Sequence, residues 1–147
     1  MSHPKPRIAI ASDHGGFQLK THLIAFLQKD GYDVSDLGTH DAETSVDYPD
    51  FGSKAAEAVT GGDADYGIIV CGTGIGISIA ANRNKAVRAA LCHDTTTARL
   101  AREHNNANIL ALGERVTGTI TAEDITRVFL NTEFEGGRHA GRVAKMS

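Results

Sequence analysis

The sequence predicts an α/β protein built on a five-stranded parallel sheet. Short apolar, β-branched runs recur along the chain, each closed by a glycine or a polar turn. Between them lie segments whose apolar residues repeat at helical spacing. The two patterns alternate from one end to the other, which is the signature of β-α-β units. With 147 residues, 41% of them apolar, the chain has the length of one domain and enough apolar side chains for a real core.

Residues 7–12 read as the first strand, and Asp13-His14-Gly15-Gly16 as its exit loop. Over residues 17–30, Leu19, Leu23, Phe26 and Leu27 recur at helical spacing, and Gly31 stops the helix. Residues 32–37 form a short second strand, and residues 38–49 are a polar, turn-rich surface loop. Phe51, Ala55, Ala58 and Val59 mark a second helix, ended by Gly61-Gly62-Asp63. Ile68 to Val70, bounded by Gly67 and Gly72, read as a third strand buried on both faces. Gly72, Gly74 and Gly76 follow at alternate positions, then a buried helix carrying Ile77, Ile79, Ala80 and Ala81. Residues 86–92 are the fourth strand, residues 95–104 a helix with Ala98 and Ala101 inward, and residues 108–112 the fifth strand, ended by Gly113. Thr121-Ala122-Glu123-Asp124 resembles a capping box, and Ile125, Val128 and Phe129 give the helix behind it one apolar face. Residues 135–145 form a basic, helical tail. The sum is a three-layer, Rossmann-like arrangement.

Composition narrows the function. A net charge of -3 supplies no basic field for nucleic acid, and a chain without tryptophan and poor in aromatics offers no base-stacking platform. Residues 1–7 are polar, and the apolar run behind them is too short for a signal peptide or a membrane span. Two cysteines make no disulfide framework, so a reduced, cytoplasmic compartment and no membrane partner are expected.

Residues 67–82 organise the rest: strand, glycine loop, helix N-terminus. Such a loop aims several unpaired N–H groups at one spot, which suits a phosphate, a carboxylate or an enolate-like oxygen. Cys71 closes the strand at the mouth of that spot, and ligands bind at the carboxyl ends of parallel strands. A thiol beside a helix N-terminus is favoured as the reactive thiolate. The plainer reading makes Cys71 a small buried hydrophobe and the glycines a tight turn. Asp13 and His14 leave the first strand close to the exit of the third, so an acid, a histidine and a thiol share one region; alternatively, Asp13 only caps the helix near Gly16. His104-Asn105 ends the fourth helix, where a histidine complements the helix dipole. Arg138 and Arg142, four apart, share a helical face that either clamps a phosphate or is simply solvated.

Other chemistries fit less well. Gly72-Thr73-Gly74-Ile75-Gly76-Ile77 is not G-x-G-x-x-G and follows the third strand, although Asp94 is suitably spaced for a ribose hydroxyl. No Walker lysine follows the loop. The seven histidines show no H-x-x-x-H spacing and the cysteines no C-x-x-C, so no metal is expected. Ser78 lacks a G-x-S-x-G context, and Cys92 reads as a core thiol.

Several segments taken together carry a family resemblance. Ser12-Asp13-His14-Gly15-Gly16, Asp47-Tyr48-Pro49, the run from Cys71 to Asn82, Arg88-Ala89-Ala90-Leu91-Cys92, His104-Asn105 and Glu135-Gly136-Gly137-Arg138-His139 resemble, in order, ribose-5-phosphate isomerase type B, in the group that also holds the galactose-6-phosphate isomerase subunits. The resemblance spans residues 12–142, nearly the whole chain. It departs at Asn106, where aspartate is common, at Ala86, where glycine is usual, and in extra residues before Arg7; none of these touches the expected catalytic positions.

The resemblance implies one sugar-phosphate isomerase domain over residues 1–147, interconverting ribose 5-phosphate and ribulose 5-phosphate through an enediolate, as in the pentose phosphate pathway. It implies Cys71 as the base, His104 for ring opening, and Asp13 for sugar binding and proton movement at its oxygens. Thr73 and the loop N–H groups of Gly72, Gly74, Ile75 and Gly76 would hold the oxyanion. His14, Arg115, Arg138 and Arg142 would take the phosphate, with Asn105 also at the substrate. It further implies no cofactor, a homodimer or dimer of dimers, and sites shared between subunits. Another sugar phosphate, of tetrose or hexose size, and a non-catalytic sugar-phosphate or nucleotide sensor stay open as alternatives.

Overall fold

Alternation along the central strands divides the core into two layers. In the computed structural model, which describes residues 4–147, the elements run β1 (Arg7–Ser12), α1 (Phe17–Lys29), β2 (Asp33–Asp36), α2 (Tyr48–Thr60), β3 (Tyr66–Cys71), α3 (Ile75–Ala81), β4 (Ala89–Leu91), α4 (Thr95–Asn105), β5 (Ile109–Gly113), α5 (Thr119–Asn131) and α6 (Arg138–Ala144). Residues 1–3 of the polar start lie outside the described residues. Every pairing is parallel, and the sheet order is β2-β1-β3-β5-β4. Ile68 and Val70 of β3 face one side, where Leu19, Leu23 and Leu27 of α1, Ala98 and Ala101 of α4, and Ile125 and Phe129 of α5 close over them. Ile69 and Cys71 face the other side, against Phe51 and Ala55 of α2 and Ile77 and Ala81 of α3. A strand with period-two side chains buried on both faces must be apolar throughout, and this is why β1, β3 and β5 stand out in the sequence.

The order places β2 on one side of β1 and β3 on the other, so the chain reverses direction across the sheet between β1 and β3. At such a switch point the loops leaving neighbouring strands diverge to opposite faces and leave a crevice at the carboxyl edge. Asp13 and Cys71 lie at the two strand ends that flank it: the Asp13 N–H donates to the Val70 carbonyl across 3.3 Å.

Four expectations need correction. Helix α3 is not buried all round: Ile77, Ser78 and Ala81 are buried, whereas Ile79 is about half exposed. β4 covers Ala89–Leu91 rather than 86–92, because the N–H groups of Ala86 and Arg88 are taken by the side-chain oxygens of Asn84 and Asn108 instead of a strand partner. No capping box forms at Thr121: α5 already begins at Thr119, with extended Gly118 as its cap and the Ala122 N–H donating to the Gly118 carbonyl. The tail becomes helical only at Arg138, since Gly136 and Gly137 take left-handed φ values of 70° and 53° that interrupt any helix across them.

The core also holds a charge that periodicity does not reveal. Lys20 on α1 is fully buried, and its ammonium donates to Asp36 Oδ1 at 2.6 Å, joining α1 to the end of β2. The same oxygen accepts the Gly38 N–H at 3.0 Å. Burial opposes the charge on Asp36, but the Lys20 ammonium and the Gly38 N–H outweigh it and hold the carboxyl below the ordinary aspartate value.

Candidate active site

The carboxyl edge gathers the first group of expected residues. Gly74 has φ +79°, and a Cβ there would stand 2.6 Å from Leu91 Cδ1 and 2.8 Å from the Leu112 carbonyl carbon, so only glycine fits. That tight bend turns the Gly74 N–H onto Cys71 Sγ at 3.1 Å. This contact fixes the sulfur at the end of β3, at the mouth of the crevice. The Ile75 N–H is engaged by Thr73 Oγ1 at 3.2 Å. The N–H groups of Gly72, Thr73 and Gly76 make no hydrogen bond among the described residues, so these three, rather than the whole run of the loop, remain for a ligand.

Asp13 is 8% exposed and serves as a cap: its Oδ1 accepts the Gly16 N–H at 3.1 Å, at the start of a short 3₁₀ turn before α1. This does not remove it from the crevice, because Gly15 in the same turn lies against the Gly72 backbone. His14 Nδ1 accepts the Val46 N–H at 3.1 Å, which fixes the tautomer with the proton on Nε2, an outward donor. Arg115 follows β5; its N–H donates to the Gly72 carbonyl at 2.9 Å and its side chain lies over Gly72. The crevice thus brings together Asp13, His14, Cys71, Gly72, Thr73, Gly74, Ile75, Gly76 and Arg115.

His104, Asn105, Arg138 and Arg142 lie elsewhere. Helix α4 leaves the carboxyl end of β4 and runs back to the amino end of β5, so its last residues sit at the opposite edge of the sheet. Cys71 pairs with Gly113 at the far end of β5, and the four residue steps from Ile109 to Gly113 span roughly 13 Å at the usual rise of a strand. Helix α6 joins His104 at this amino edge: the His104 and His139 rings stack with centroids 4.3 Å apart, and the Glu135 N–H donates to the Glu103 carbonyl. Asn105 borders a cavity of about 360 Å³ with Asn82 and Met146. Within one chain, the expected residues therefore form two groups at opposite edges.

Four contributors were missed by sequence reasoning. Buried Arg102 donates to the carbonyls of Thr132 and Ala107 and to Asn106 Oδ1, and so fixes the end of α4, which carries His104. His139, buried on α6, packs on His104; burial, reinforced by His104 and Arg138, holds its imidazole below the ordinary histidine range. Glu114 Oε1 accepts the Leu19 N–H at 2.7 Å and ties the loop that carries Arg115 to α1. The Tyr48 ring lies against Gly76. Tyr48 and His139 carried a signal, in the Asp47-Tyr48-Pro49 and Glu135-Gly136-Gly137-Arg138-His139 motifs. The departure at Asn106 has a simple basis: it caps α4 in the left-handed region (φ 47°), where asparagine and aspartate are both tolerated.

Residues 8–146 match the protein family described as Ribose/Galactose Isomerase. The chain belongs to the ribose/galactose isomerase family. It is 47% identical to ribose-5-phosphate isomerase B of Escherichia coli over 137 residues, covering 93% of this chain and 91% of that one. It superposes on the solved structure of ribose-5-phosphate isomerase B of Clostridium thermocellum with a TM-score of 0.94 at 59% identity, covering 95% of this chain and 94% of that one. The corresponding isomerase of Thermotoga maritima gives a TM-score of 0.94 at 50% identity, with 96% and 97% covered. With the family comes the activity class, a sugar-phosphate aldose–ketose isomerase. No helix among the described residues is long and apolar enough to cross a membrane.

Proposed function

We propose that this protein interconverts ribose 5-phosphate and ribulose 5-phosphate through an enediolate, with Cys71 as the base. The observation that carries the reading is the Cys71 sulfur at the switch-point crevice, held by the Gly74 N–H and set beside Asp13. Cys71 as thiolate takes the proton from C2 of the open-chain aldose. The electron pair left behind forms the C1–C2 double bond, and the negative charge moves to O1. Transfer of a proton from O2 to O1, aided by Asp13, and return of the first proton to C1 complete the ketose. The free N–H groups of Gly72, Thr73 and Gly76 are prepositioned for the developing charge, which lowers the barrier without reorganisation. His14 and Arg115 bind the distal phosphate, whose remote binding energy aligns the reacting carbons. Proton transfer between adjacent carbons calls for no nicotinamide and no metal. Two free thiols suit a reduced cytoplasm.

The site is completed by a second copy of the chain. His104 of the partner subunit opens the sugar ring, and the partner's Asn105, the partner's Arg138 and the partner's Arg142 finish the sugar and phosphate contacts. This reading is supported by the separation of the two groups along β5. It is further supported by Ile75 and Ile79, one turn apart on α3 beside the glycine loop and each about half exposed, as expected of an apolar face that meets a like surface.

The family takes its name from both ribose and galactose, so chain length is the point to test. The loop over residues 39–47 borders the crevice through Val46 and sets its depth. A panel of four-, five- and six-carbon sugar phosphates, compared by kcat/KM, should rank ribose 5-phosphate first. A six-carbon substrate at the top would replace the pentose reading, and binding without turnover of any of them would favour a sensor.

A further inference from the structure

The stacked histidines of the amino edge have a third neighbour that isomerisation does not use. His104, Glu135 and His139 each offer one ligand atom, and these atoms all lie within 4.8 Å of one another. We propose that the three residues form a binding site for a borderline transition-metal ion, Zn²⁺ foremost, and that the bound ion inhibits the enzyme.

An unmet polar atom points to a ligand here. The His139 side chain is 7% exposed, and its Nε2 is buried without a hydrogen-bond partner among the described residues. Buried polar atoms are almost always satisfied, and ligation would satisfy this imidazole nitrogen. Glu135 Oε1 stands 3.6 Å from that nitrogen, too far for a hydrogen bond, and its half-exposed side chain is free to move. Around tetrahedral Zn²⁺, with bonds of 2.0–2.2 Å, ligand atoms lie about 3.3 Å apart, so the cluster needs to contract by about 1.5 Å at most. Turning the half-buried His104 ring out of the stack supplies the rest, since parallel rings do not aim their lone pairs at one point. The fourth position stays open for water.

The surroundings also select the metal. Arg138 and Arg142 flank His139 and repel any cation held by charge alone, which disfavours Mg²⁺ and Ca²⁺. Two imidazole nitrogens and one carboxylate instead suit Zn²⁺, Co²⁺ or Ni²⁺. Inhibition follows because the ion ties up His104 next to the arginines; this consequence, unlike the binding itself, rests on the proposed function.

Calorimetric titration of chelator-treated protein with ZnCl₂, in a buffer free of phosphate, tests the site. One Zn²⁺ should bind per chain, with no comparable uptake of Mg²⁺. Glu135→Gln changes an exposed side chain outside the catalytic groups; it should keep metal-free turnover while weakening Zn²⁺ binding by at least about 10-fold. His139→Ala, checked for folding by circular dichroism, should weaken it further, and Cys71→Ala should leave it unchanged. No uptake of Zn²⁺, binding unaffected by Glu135→Gln, or binding lost in Cys71→Ala would each overturn the site. Zn²⁺ should inhibit competitively with sugar phosphate. Binding at this site without inhibition would leave the metal site standing and remove His104 from the reaction.

Discussion

Cys71 and Cys92 are both buried thiols at the ends of strands, and their neighbours separate them. Cys92 lies in the core, where burial pushes its thiol up to about 11 and keeps it an inert hydrophobe. Cys71 instead has an N–H aimed at its sulfur and a crevice beside it. Cys71→Ala should therefore lose turnover by about 100-fold or more, the usual contribution of a positioned base, while still binding a sugar phosphate. Cys92→Ala should retain activity, and iodoacetamide should label only Cys71, with substrate protecting it. Near-normal kcat in Cys71→Ala would remove the thiol from the mechanism. At this scale the crevice was largely legible, because Asp13, Cys71 and the glycines fall in short contiguous motifs at strand ends. Arg102 and His139 were not: an arginine inside a helix and a histidine in a basic tail become meaningful only once residues 30 or more positions apart, Thr132 for Arg102 and His104 for His139, are brought into contact.

The pairing of α1 with β2 depends on one buried ion pair, and its two halves are not equivalent. Asp36→Ala strands the Lys20 ammonium in the core and should cost about 3 kcal/mol, the low end for an uncompensated buried charge because Asp36 keeps water close by. Lys20→Met fills the same volume without charge and should cost less than about 1.5 kcal/mol. Urea unfolding of both variants checks this; equal losses would show that packing, not charge, holds the contact. The pH dependence has a definite sign. Asp36 titrates lower in the folded chain than in the unfolded one, so its stabilisation is complete above about pH 4 and disappears as the pH falls below that value. The difference between the original protein and Asp36→Ala should shrink accordingly in acid. Elements with unbroken apolar or helical periodicity, such as β1, β3, β5 and α1, were legible to within a residue or two. β4 and the start of α5 were not, because side-chain bonds from Asn84 and Asn108, and a bare glycine cap at Gly118, decide those ends without altering the apolar pattern.

At the scale of the molecule, the parallel sheet sorts the expected residues by strand polarity. Groups that leave strands collect at the carboxyl edge, and the groups on the end of α4 and on α6 collect at the amino edge. Sequence motifs list both sets in order but do not show that roughly 13 Å of sheet lies between them. The central claim is that Cys71 works with His104 of the partner subunit, and subunit mixing tests it most directly. Cys71→Ala and His104→Ala are each made and assayed alone on the ring-closed sugar, then unfolded and refolded together in equal amounts. Random pairing across a two-fold interface makes about half the dimers mixed, and each mixed dimer holds one doubly altered site and one intact site. Activity should therefore return to about a quarter of the original per site, while separately refolded parents stay weak. A mixture no more active than the average of its two parents would contradict the shared site.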